Sequence, residues 1–238
     1  MGTMRHSGVS GRELGPALRY LHDLGWEAVY RRPAPRAGRA VTPAAGADAS
    51  ERARRLAELA ERARVCESCA LAKGRLHVVF GSGDPDADLM IVGEGPGAQE
   101  DRQGLPFVGP AGELLSKILL AIGRSRDQVY IANIVKCRPP QNRDPRPEEV
   151  AACRPFLEGQ IALVQPRVVL ALGRVAAQTL LGNDLPVGRL RGEWWELRGV
   201  PLRVTYHPAA LLRDPGLKRP TWEDMKIVRD RLQELSTA

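Results

Sequence analysis

The stretch Leu89-Met90-Ile91-Val92-Gly93-Glu94-Gly95-Pro96-Gly97-Ala98-Gln99-Glu100-Asp101 decides the fold. Its four leading apolar residues make a short, buried strand. Three glycines and a proline within the next five residues force the backbone to turn sharply. Pro106-Phe107-Val108-Gly109 follows, then an apolar-periodic helix over about 111–122. A turn that leaves a buried strand, exposes backbone N–H groups and carries acids and an aromatic is built like a binding site.

Outward from this stretch the pattern alternates. Strands are expected at about 88–93, 129–135, 167–172 and 201–206, and helices at about 111–122, 147–164, from Gly173 to Leu181, and 221–236. Pro147 suits an early helical position, and a hairpin over about 187–200 holds Trp194-Trp195. Strands alternating with helices predict an α/β fold, a parallel sheet with helices on both faces. Ligands of such sheets bind beyond the carboxyl ends of the strands. Beyond those ends lie the Gly-rich acid loop, Asn133, Gly173-Arg174, and His207-Pro208 running to Arg213. The unusual polar residues therefore converge on one edge.

Upstream, a charged helix is expected over 50–64, with Ser50 as N-cap and Leu56 and Leu59 facing inward. Residues 31–50, rich in Arg, Pro, Ala and Gly, read as a flexible linker, and 12–25 as a short amphipathic helix. The expected division is an N-terminal extension, 1–50, and one domain, 51–238. The chain of 238 residues carries a net charge of +7, which points to a polyanionic partner. Most of that excess is N-terminal: residues 1–64 hold 12 Lys/Arg against 7 Asp/Glu. The remainder is basic only locally, at Lys136, Arg138, Arg143 and Arg146, and at Arg203, Arg213, Lys218 and Arg219. No apolar run reaches the length of a membrane span and no signal-peptide pattern opens the chain, so a cytoplasmic or nucleoid-associated monomer is expected.

There are four cysteines: Cys66 and Cys69 at C-x2-C spacing, then Cys137 and Cys153. Four thiolates brought together would hold Zn²⁺ or an iron–sulfur cluster, and spacing alone does not separate the two.

With these residues in view, the chain resembles the family 4 uracil-DNA glycosylases, bacterial and archaeal enzymes that carry a [4Fe-4S] cluster. The resemblance covers roughly 64–236. It rests on Gly93-Glu94-Gly95-Pro96-Gly97 with Glu100-Asp101, on Pro106-Phe107-Val108-Gly109, and on Asn133-Ile134-Val135-Lys136-Cys137-Arg138-Pro139-Pro140. The four cysteines and His207-Pro208 through Leu211-Leu212-Arg213 complete it. It implies a three-layer α/β/α sandwich around a four-stranded parallel sheet, with the cluster on Cys66, Cys69, Cys137 and Cys153.

The chemistry of uracil excision fits these residues. A base inside a duplex must be extruded into a pocket before its bond can be reached. Asn133 offers a donor and an acceptor that match uracil O4 and N3–H together, a pattern that cytosine reverses. Phe107 can stack on the flipped base. Glu100, following the family pattern, is the candidate wall against the thymine methyl; capping of backbone N–H groups is the competing role. His207 and the N–H groups near Gly95 are placed to meet charge gathering on uracil O2. In family 1 enzymes the corresponding loop resembles Gly-Gln-Asp-Pro-Tyr-His; here Gly95 stands at its Asp and Gly97 at its Tyr. Glu94, Glu100 and Asp101 are then the candidate acids for positioning the water, with Glu94 or backbone carbonyls preferred. Lys136, Arg138, Arg143 and Arg213 are candidates for gripping DNA, and Leu211 or Leu212 for wedging into the vacated space.

The expected function is hydrolysis of deoxyuridine in single- or double-stranded DNA, leaving an abasic site for base excision repair. A capture protein that holds uracil-DNA with little turnover is one alternative; in a related subfamily a His in an inserted Arg-rich loop bonds covalently to the DNA, but no His lies between Cys137 and Cys153 here. A metal-bearing nucleic-acid-binding module is the other.

Overall fold

The computed structural model describes residues 43–237, so the helix expected over 12–25 lies outside the described residues. The first element, α1, is Pro43–Arg64. It starts seven residues before the expected N-cap, so Ser50 sits inside the helix and the 50/51 boundary cuts a continuous element. Residues 43–50, expected as linker, are helical. Leu56 is buried as expected, and Leu59 lies against Gly159, where a Cβ would come within 2.6 Å of Leu59 Cδ2.

The sheet has six strands in the order β1-β3-β2-β4-β6-β5. The four expected strands form its parallel centre: β2 (Leu89–Gly93), β3 (Tyr130–Asn133), β4 (Val168–Leu172) and β6 (Val200–Thr205). Two short antiparallel strands close its edges: β1 (Ser82–Gly83), which was not expected, and β5 (Trp194–Leu197), which lies in the expected hairpin and pairs with β6, whereas Val187–Leu190 of that stretch is helical. The two residues of β1 pair with Ile131 and Tyr130 of β3.

Alternation along the central strands builds the layers. Leu89 and Ile91 of β2, with Val168, Leu170 and Leu172 of β4, face α3 (Pro110–Ala121) and α8 (Lys218–Thr237). Met90, Val92, Val169 and Ala171 face the opposite core. That core is built with α1, α4 (Pro147–Val164), α5 (Gly173–Leu181) and α6 (Val187–Leu190). Both faces of β2 and β4 are buried, hence their unbroken apolar runs. The chain winds one way from β2 to β3 and the other way through β4 and β6. The loops after β2 and β4 therefore part at a topological switch point, where such sheets bind ligands.

Candidate active site

Gly93, Phe107, Asn133 and His207, from four segments of the chain, converge at the carboxyl end of β2. Gly93 ends the strand, and a Cβ there would stand 2.5 Å from Asn133 Oδ1 and 2.6 Å from Phe107 Cζ. Only a glycine lets both side chains cross the strand end. The Phe107 ring in turn stacks on His207, with centroids 5.4 Å apart and planes at 29°. A Cβ on Gly173 would come within 2.9 Å of His207 Cβ, and its φ of +85° suits glycine alone.

Asn133 is 2% exposed, and its Oδ1 is buried without a hydrogen-bond partner among the described residues. A buried acceptor left unpaired costs about 1–3 kcal/mol, so the fold keeps a group there that needs a donor from outside. His207 caps α7 (Pro208–Arg213), its Nδ1 accepting the Ala209 N–H at 3.1 Å. The ring proton therefore belongs on Nε2. Burial, aided by the positive charge of Arg213 and opposed by Glu100, brings the His207 pKa down to about 4.

The three acids of the loop have separate roles. Asp101 is buried and accepts the N–H groups of Leu76 (2.9 Å) and His77 (3.4 Å). Glu100 lies inside α2 (Ala98–Gln103), and its Oε1 accepts the N–H groups of Val108 (3.0 Å) and Gly109 (3.1 Å). Its capping role is thus present. Glu94 is half-buried; burial, with the negative charge of Asp144 adding and Arg174 opposing, pushes its pKa up to about 7. Arg174 also pairs with Asp144. Gly95 and Gly97 lie in the half-buried turn between β2 and α2.

All four cysteines line one cavity, with Ala63, Arg75, Lys136 and Phe156. The Lys136 backbone N–H donates to Cys153 Sγ (3.3 Å) and Arg75 Nη1 to Cys137 Sγ (3.5 Å). Burial raises the Cys137 pKa to about 11 and that of Cys153 as well.

Sequence comparison decides the family. Residues 80–226 match the Uracil DNA glycosylase superfamily. A "Type-4 uracil-DNA glycosylase" of Thermotoga maritima is 44% identical over 182 residues, 74% of this chain and 94% of the relative. One of Sulfurisphaera tokodaii is 41% identical over 184 residues, 74% and 84%. A "Type-5 uracil-DNA glycosylase" of Pyrobaculum aerophilum is 36% identical over 151 residues, 56% and 66%.

The chain belongs to the type-4 branch of the uracil-DNA glycosylase superfamily.

Several residues singled out in the sequence lie elsewhere in this glycosylase than expected. Lys136 is no surface grip for phosphate: it is 1% exposed, and its Nζ donates to the Asn133 carbonyl (2.7 Å) and to Gln160 Oε1 (2.5 Å). Arg143 makes a two-pronged pair with the buried Glu149, at 2.8 and 2.6 Å, and so braces its own loop. Leu211 is 0% exposed and belongs to the core with α3 and α8; Leu212, at 45%, is the exposed member of the pair. Arg203, also counted as a surface charge, is buried against Asp224. Arg138 bonds to Asn142, and Arg213 is exposed. Sequence reading missed Arg126, whose guanidinium donates to the carbonyls of Phe107 (3.0 Å) and Pro106 (2.7 Å). Nothing in its local pattern pointed to that reach.

Proposed function

We infer that the chain is a monofunctional uracil-DNA glycosylase, which hydrolyses the N-glycosidic bond of deoxyuridine, releases uracil and leaves an abasic site. The observation that carries this is the buried, unpartnered Oδ1 of Asn133. Uracil N3–H supplies the missing donor and uracil O4 takes the amide N–H. Cytosine presents the opposite pattern and leaves both groups unpaired, a mismatch that a site of this kind rejects by orders of magnitude.

Phe107 is the platform under the base, and Glu100 braces the loop on the side where a thymine methyl would go. As the bond breaks, negative charge gathers on uracil O2. The Nε2–H of a neutral His207 and the N–H groups near Gly95 stabilise it, a contribution of about 10²–10³ in rate for one such donor. A carboxylate with a pKa close to 7 is well matched to accept a proton from water, and Glu94 takes that role. Lys136, the lysine beside Asn133, is engaged with the backbone below it, so hydrolysis by water rather than attack by an amine fits the site.

Cys66, Cys69, Cys137 and Cys153 hold a [4Fe-4S] cluster in this reading. The four thiols share one cavity, and N–H donors are aimed at two of the sulfurs, as suits thiolates that hold a metal group. The choice of [4Fe-4S] over Zn²⁺ follows the family resemblance. The cluster supplies structure, tying the segment after α1 to the start of α4. Arg138, Arg213 and Leu212 are the surface groups for DNA, and the protein acts as a cytoplasmic monomer. No helix among the described residues is long and apolar enough to cross a membrane.

The test is incubation with uracil-containing single- and double-stranded DNA. Abasic sites are expected; their absence with both substrates would refute the reading, and a gel-stable protein–DNA adduct would favour capture instead.

A further inference from the structure

Phe107 has a φ of +53°. A bulky side chain rarely adopts this left-handed conformation, and it persists only where surrounding groups over-determine it. Here the turn is gripped from both sides. Arg126 reaches it from the segment before β3 and donates to the successive carbonyls of Pro106 and Phe107. Glu100 accepts the successive N–H groups of Val108 and Gly109. A planar fork of donors fits two neighbouring carbonyls as an ammonium cannot. The charges of Arg126 and Glu100 attract across the turn. The ring this turn carries has no slack: Gly93 bounds it on one side and His207 on another.

We propose that Arg126 is a positioning residue for the reaction, holding Phe107 so that its ring presents the base platform and keeps the His207 imidazole in place. The inference rests on the reading of Phe107 as that platform. Arg126 touches neither base nor DNA; it acts through the peptide groups of Pro106 and Phe107. Its loss lets the turn relax, moves the ring and so disturbs both stacking and the imidazole.

The experiment combines Arg126→Gln and Arg126→Lys with Phe107→Ala. It reads single-turnover uracil release, inhibition by free uracil and affinity for abasic-site DNA. Arg126→Gln is expected to slow release by about 100-fold, the scale of a misplacement near 1 Å. It should weaken inhibition by uracil and leave abasic-site affinity unchanged. Arg126→Lys, with a single donor group, should fall between. In the Phe107→Ala background neither substitution should cost anything further, because the ring through which Arg126 acts is gone. A wild-type rate in Arg126→Gln, or losses that multiply with Phe107→Ala, would overturn the role of Arg126. A wild-type rate in Phe107→Ala alone would contradict the platform itself, and the role of Arg126 with it.

Discussion

The backbone N–H of Ala209 donates to Nδ1 of His207 at 3.1 Å. An amide N–H can only donate, so the imidazole must accept there and carry its proton on Nε2. Burial keeps the ring neutral down to about pH 4. It can therefore stabilise charge on uracil O2 without itself being charged.

From this follows an NMR result. The His207 ring should show a bare Nδ1 and no titration between pH 7 and 5, and His207→Ala should slow release by about 10²–10³. The same depressed pKa makes the unfolded chain the better proton acceptor. His207's contribution to stability is therefore present above about pH 6.5 and lost as pH falls toward 4. An imidazole that titrates near its ordinary value in the folded protein would contradict the assignment.

Glu94 has the opposite shift, raised to about 7. A general base works only when ionised, so the single-turnover rate should fall with a one-proton slope as pH drops below about 7. His207 stays neutral across that range. Glu94→Gln should remove this limb and lower the plateau by about 10²–10⁴. An unchanged acid limb in that variant would move the role to another group.

Lys136 ties the reader of the base to the cysteine cavity. Its side chain holds the Asn133 carbonyl and its backbone N–H meets Cys153. Lys136→Met leaves two buried acceptors without this donor, at about 1–3 kcal/mol each. A lower urea midpoint and weaker inhibition by uracil are expected. Affinity for undamaged DNA and its salt dependence should not change, because the ammonium is buried. A shallower salt slope would mean that Lys136 does meet phosphate.

The two leucines of α7 should separate cleanly. Leu211→Ala opens a core cavity and should destabilise by about 2–5 kcal/mol. Leu212→Ala should leave stability within about 0.5 kcal/mol and slow release from duplex more than from single strands, if its side chain fills the vacated space. Equal slowing on both substrates would remove Leu212 as the wedge.

The positions and parallel run of β2, β3, β4 and β6 and the gathering of Asn133 and His207 at one sheet edge were legible in the sequence, because apolar runs and strand-end residues obey local rules; the spatial order, with β3 outside β2, was not. Lys136, Arg143 and Leu211 were misread for one shared reason. A charged residue in a basic loop, or a leucine beside another leucine, has the same local pattern whether buried or exposed. The partner that decides it, Gln160, Glu149 or the core under α3, lies elsewhere in the chain. β1 was missed because two residues carry no periodicity. Arg126 was missed because its targets lie 19 and 20 residues earlier in the chain.

The central claim is that the unpartnered Oδ1 of Asn133 reads uracil. Single-turnover release from one uracil-containing oligonucleotide, by the wild-type protein and by Asn133→Ala, tests it most directly. Abasic sites from the wild type and a rate lower by about 10²–10³ in the variant are expected; equal rates in the two proteins would contradict it.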